Sequence, residues 1–143
     1  MASTDQIGAA VRMNICYLPP KFSPGEKALV LVSHAPEIEP GELVKIVKLW
    51  TGNLCAVELP DGKIHRWFAA FELCPEDRFA SCPFEPGKYA TVTSNEGHGN
   101  PPHVKVGTKV KIVRCFPTSF YDSILENGDY HRWLAGFELA KPV

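Results

Sequence analysis

The chain lacks most of the features that announce a function. No apolar run approaches the roughly 20 residues needed to cross a bilayer. Neither sign of charge dominates: 15 Lys and Arg stand against 16 Asp and Glu, a formal net charge of −1. There is thus no global positive field to hold a nucleic acid or an anionic membrane. No Gly-x-Ser-x-Gly, His-Glu-x-x-His or phosphate-cradling glycine loop occurs, and acidic residues form no pair marked for acid–base work, which argues against an enzyme. Close cysteine pairs of the Cys-x-x-Cys kind are missing as well. Cys16, Cys55, Cys74, Cys82 and Cys115 are an odd number without framework spacing, the pattern of free thiols in a reducing compartment. The N-terminus, Met1-Ala2-Ser3-Thr4-Asp5-Gln6, carries an acid and no basic stretch. With no secretory signal expected there, the expected location is cytoplasmic.

What is present is a duplication. Gly62-Lys63-Ile64-His65-Arg66-Trp67-Phe68-Ala69-Ala70-Phe71-Glu72-Leu73 returns as Gly128-Asp129-Tyr130-His131-Arg132-Trp133-Leu134-Ala135-Gly136-Phe137-Glu138-Leu139. Hydrophobic content of 45% and charged content of 22% are those of a folded chain. Read outward from these anchors, the sequence divides into an N-terminal arm (1–21), a first unit (22–74), a linker (75–83) and a second unit (84–143). The arm holds a short alternating stretch, Val11 to Tyr17, that predicts a strand stopped by Pro19-Pro20. Proline at both ends of the linker predicts units fixed relative to each other.

Within each unit the residues predict strands throughout. Ala28 to Val32 and Ala90 to Val92 open the two copies. Dense β-branched runs follow, Val44 to Lys48 and Val110 to Arg114. Leu54 to Leu59 leads through Pro60-Asp61-Gly62 into a return strand from Ile64 to Phe68, with Asn127-Gly128 at the matching turn. Asp-Gly and Asn-Gly between strand-like runs are strong hairpin signals. A short helical turn and a closing strand, Phe71-Glu72-Leu73 or Phe137-Glu138-Leu139, complete each copy. The second copy carries extra residues between Thr93 and Val106. No segment reads as a long amphipathic helix.

This order of elements resembles the SH3-like small barrel shared by Tudor and KOW-type modules, over Phe22–Leu73 and Phe84–Leu139. The resemblance implies an all-β protein of two tandem five-stranded barrels. It implies little about chemistry, because small barrels host many functions.

Four groups of residues are candidates for a site. His65 and Trp67, repeated as His131 and Trp133, share a strand face by parity and would form a recognition platform beside Arg66 and Arg132. The competing reading gives the tryptophans a structural role, since the shared fold must be built twice. Lys105, Lys109 and Lys111 share parity, with Arg114 nearby, and would make a short basic stripe. Phe116, Phe120 and Tyr121 are an aromatic excess in the second copy alone, where the first has the turn-like Trp50-Thr51-Gly52-Asn53. Cys74, Cys82, His98 and His103 would form a zinc site only if the linker met the loop Asn95–His103, and no metal or other cofactor is expected. Features kept in both copies are accounted for by folding, so the second unit is expected to carry the binding surface. Phe120 and Tyr121 would be its anchors, with Lys111 and Arg114 at the rim. The functional expectation is a non-enzymatic adaptor that binds a protein partner; the alternative is a nucleic-acid-associated small barrel.

Overall fold

A computed structural model describes residues 20–34 and 37–143. The arm's predicted strand and Cys16 lie outside the described residues. Among the described residues eight strands run in the order β1 (Lys27–Val30), β2 (Leu43–Glu58), β3 (Ile64–Ala69), β4 (Leu73–Pro75), β5 (Tyr89–Val92), β6 (Lys109–Ile124), β7 (Tyr130–Ala135) and β8 (Leu139–Ala140). One 3₁₀ turn, Ala70–Glu72, separates β3 from β4, and another, Gly136–Glu138, separates β7 from β8. No helix among them is long and apolar enough to cross a membrane.

The fold is all-β, as expected, but the tandem-barrel architecture is corrected. All eight strands belong to one antiparallel sheet with the order β4-β5-β6-β2-β1-β8, and β3 and β7 pair with β2 and β6. The cause lies in the two central strands. Each is 16 residues long, and they pair with each other along their length, from Lys45 opposite Ile124 to Glu58 opposite Lys111. Trp50-Thr51-Gly52-Asn53 is therefore no turn. Its backbone continues β2 and pairs with Pro117–Phe120 of β6, so the neighbouring copy supplies the ladder that a lone unit would lack. A strand this long would reach about 50 Å if straight. Register shifts between Ile46 and Lys48, and between Ala56 and Val57, interrupt its pairing with β6, and such irregularities increase local bend and twist.

Each copy closes on the other. β4 pairs with β5, and β8 returns to β1. Apolar packing follows this exchange. Ala28, Val30, Val44 and Ile46 of the first copy pack with Tyr121, Leu125, Leu134 and Leu139 of the second. A second cluster joins Cys55, Val57, Phe68 and Leu73 to Ala90, Val92, Val110 and Ile112. A third, central cluster draws on both long strands and both return strands and includes Leu54, Trp67, Phe120 and Trp133. Segments 22–74 and 84–143 thus both contribute to every cluster and share one sheet.

The hairpins stand where the sequence puts them. Gly62 has φ +88° and Gly128 φ +92°, a region that favours glycine because a Cβ would crowd the following carbonyl. The free-thiol expectation needs correction at one pair. Cys55 and Cys115 face each other across β2 and β6 and are disulfide-bonded, while Cys74 and Cys82 are free.

Candidate functional site

The duplicated stretch builds a pair of buried carboxylates. Glu72 and Glu138 end the two 3₁₀ turns, and their side chains are 0% and 2% exposed. Each bonds the backbone that leads into its own turn: Glu72 Oε1 accepts from Ala69 N at 3.0 Å, and Glu138 Oε1 from Ala135 N at 2.9 Å. Each also accepts from the indole of the opposite copy, Trp133 Nε1 to Glu72 Oε1 at 2.5 Å and Trp67 Nε1 to Glu138 Oε1 at 2.8 Å. The remaining oxygens take a histidine apiece. His98 Nε2 lies 2.9 Å from Glu72 Oε2, and His34 Nε2 lies 2.8 Å from Glu138 Oε2. In each pair the ring N–H donates and the carboxyl oxygen accepts.

These histidines come from corresponding loops, His34 between β1 and β2, His98 between β5 and β6. Gly97 brings the second loop in. At φ +77° it lies so close to β7 that an added Cβ would meet Arg132 N at 2.9 Å, and its carbonyl accepts from that N–H at 2.8 Å. The loop therefore docks on the strand carrying His131, one residue before His98.

His34, His65, His98, His103 and His131 are all the histidines of the chain, and all five line one cavity of about 130 Å³. Arg66, Arg132, Glu37 and Ser33 also stand in its wall. His65 Nε2 is 3.3 Å from His98 Nδ1. The His34 and His131 rings sit 6.0 Å apart between centroids. Burial holds the His65 and His131 imidazoles down to about 3, with the neighbouring histidines adding to the effect, so both are neutral at physiological pH. Neutral imidazole nitrogens are ligands for cations. Among the described residues no three His, Cys, Asp or Glu side chains are already gathered as a coordination set.

The sequence candidates fall into different places. His65 and Trp67 do not form a shared platform: the pairing of β2 with β3 shifts register between Cys55 and Ala56, opposite Arg66 to Phe68. That irregularity breaks the parity, placing His65 on the cavity and Trp67 in the central cluster. His131 and Trp133 divide in the same way. Phe120 and Tyr121 are each 1% exposed and belong to the core, so as placed they are not surface anchors. Their burial follows from β2–β6 pairing, which turns the second copy's aromatic excess inward. Phe116 is half-buried and packs edge-on to Trp67 with Arg114 over its ring at 4.3 Å. Lys111 is exposed, while Lys109 is drawn to Tyr89 and Glu76. Of the imagined zinc set, His98 and His103 reach the cavity and Cys74 and Cys82 do not. His34, Glu72 and Glu138 were missed. A usable signal was present, since an acid kept within both otherwise apolar Phe-Glu-Leu closures has to be buried with partners.

No family model and no curated protein sequence matches the chain. Solved structures do resemble it. A crystal structure of a DUF1541 family protein (ydhK) from Bacillus subtilis aligns with a TM-score of 0.61 at 16% identity, over 90% of this chain and 95% of that one. A second crystal structure of ydhK from the same organism gives 0.60 at 17% identity, over 84% of this chain and all of the other. The solution structure of the ydhK C-terminal domain gives 0.60 at 17%, over 84% and 93%. The likeness is therefore to the fold of DUF1541 proteins, and it replaces the Tudor and KOW-type modules suggested by the order of elements.

Proposed function

We propose that this protein binds a late first-row divalent metal ion, such as Cu²⁺, Zn²⁺ or Ni²⁺, in the histidine cavity. The observation that carries the reading is the convergence of all five histidines, from well-separated parts of the chain, on one small cavity. Imidazole nitrogen suits these ions, whereas Mg²⁺ and Ca²⁺ prefer oxygen donors. Two rings are held neutral by burial, the form in which a histidine coordinates. Behind His98 and His34 stand Glu72 and Glu138, the carboxylate–histidine arrangement that fixes ring orientation and raises donor strength at metal sites. Both carboxylates are occupied by indole, backbone and imidazole donors, which supports ion binding over acid–base catalysis. A protein-binding surface anchored on Phe120 and Tyr121 has lost its supporting observation to burial.

The test is calorimetric titration of chelator-treated protein with Cu²⁺, Zn²⁺ and Ni²⁺, beside Mg²⁺ and Ca²⁺, followed by elemental analysis after gel filtration. Retained transition metal and no response to the alkaline-earth ions is the expected result. Absence of binding to any of the three would refute the reading.

A further inference from the structure

The five rings differ in their hydrogen bonds. His34 is engaged at both nitrogens, by Glu138 Oε2 at 2.8 Å and by the Arg66 carbonyl at 3.1 Å. Both partners are protein acceptors, so both nitrogens are already engaged within the fold. His103 is part-exposed and is paired with Glu37. His98 commits Nε2–H to Glu72 and turns Nδ1 toward His65 Nε2. His131 is 6% exposed, and its buried Nε2 has no hydrogen-bond partner. A buried polar atom without a partner calls for an explanation, and an unseen ion is a standard one.

Resting on the cation reading of the cavity, we infer that it takes one ion, held by His65 Nε2, His98 Nδ1 and His131 Nε2. Two nitrogens each about 2.0–2.1 Å from one tetrahedral ion lie about 3.3 Å apart. His65 Nε2 and His98 Nδ1 already have that separation, at 3.3 Å. His131 supplies the third nitrogen, and its ring moves inward on loading, since no three donors are gathered beforehand among the described residues. Three imidazoles leave a fourth position open to the cavity, as in His₃ sites that exchange a ligand. His65 belongs to the first copy, His98 and His131 to the second, so the ion ties the two copies together at their junction. His34, bonded to Glu138, is a fixed wall of the site and not a ligand.

The experiment is a Cu²⁺ titration of the full, chelator-treated chain, followed by electron paramagnetic resonance at one equivalent, with Zn²⁺ affinity measured in parallel. The expected outcome is one equivalent bound, with hyperfine structure from three nitrogens. His131→Phe is expected to weaken Zn²⁺ binding about tenfold or more, and His103→Ala to leave it within about twofold. Two equivalents at similar affinity, a two-nitrogen spectrum, or unchanged binding in His131→Phe would overturn the assignment while the cation reading stands. No binding by the parent chain would overturn both. The parent spectrum decides the matter even if His131→Phe fails to fold.

Discussion

Trp133 of the second copy donates its indole N–H to Glu72 of the first at 2.5 Å, and Trp67 returns the bond to Glu138 at 2.8 Å. Each carboxylate thereby joins the 3₁₀ turn of one copy to the other copy's tryptophan. The same carboxylates hold His98 and His34. Fold and site share these two residues.

Removing the carboxylate should therefore damage both. Glu72→Ala strands three buried donors, on Trp133, His98 and Ala69. The expected cost is on the order of 3–5 kcal/mol. Glu72→Gln keeps an acceptor oxygen at similar volume and should cost about 1–2 kcal/mol. Urea unfolding of the two variants checks the order. Equal destabilisation would mean the cavity left by Ala, or a change elsewhere, dominates and not the unpaired donors.

The tryptophans should behave as structural residues. Trp67 and Trp133 are buried in the central cluster, where Phe120 meets Trp133 edge-on at 4.8 Å. Replacing either by Ala is expected to cost about 3–5 kcal/mol. A variant that melts like the parent would show that the central cluster collapses to fill the space.

Histidine burial also sets a direction for pH. His65 and His131 are lowered from 6.5 to about 3 in the folded chain. Between those limits the unfolded chain binds more protons, so acid favours unfolding. Metal-free protein should keep this contribution above about pH 6.5 and lose it as pH falls toward 3, by roughly 1 kcal/mol per pH unit for each ring. Thermal melts across that range, repeated on His131→Phe, test it. The variant should show a shallower slope, and an identical one would mean His131 takes up its proton while folded.

The legibility of the molecule divides along the same line. Strand content and both hairpin glycines follow from local pattern, because alternation, turn chemistry and duplication are recorded in neighbouring residues. The exchange of β4 and β8 between copies is not local. A barrel unit and half of a shared sheet have the same alternation, and only the partner of residues 50–53 distinguishes them. The cavity was hidden for a related reason. His34 and His98 sit in loops whose spacing differs between copies, so they escape a comparison keyed to the repeated stretch. Glu72 and Glu138 lie in the stretch the copies share, where one residue serves both the fold and the cavity wall's histidines.

Gly97 offers the most local test of how the cavity is assembled. Gly62 and Gly97 both have positive φ, at +88° and +77°, so alanine pays a similar backbone penalty at each. About 1–2 kcal/mol is expected from that source alone. Their surroundings differ. An added Cβ at Gly62 meets nothing within 4 Å, whereas at Gly97 it meets the Arg132 backbone at 2.9 Å. The loop can relieve that contact only by lifting from β7, which breaks the Arg132 N–H to Gly97 carbonyl bond and displaces the adjacent His98. Gly97→Ala should thus be destabilised by roughly 1–3 kcal/mol more than Gly62→Ala. It should also lose transition-metal binding, which Gly62→Ala retains. Matching stability and matching metal affinity in the two variants would show that the loop docks without needing this glycine.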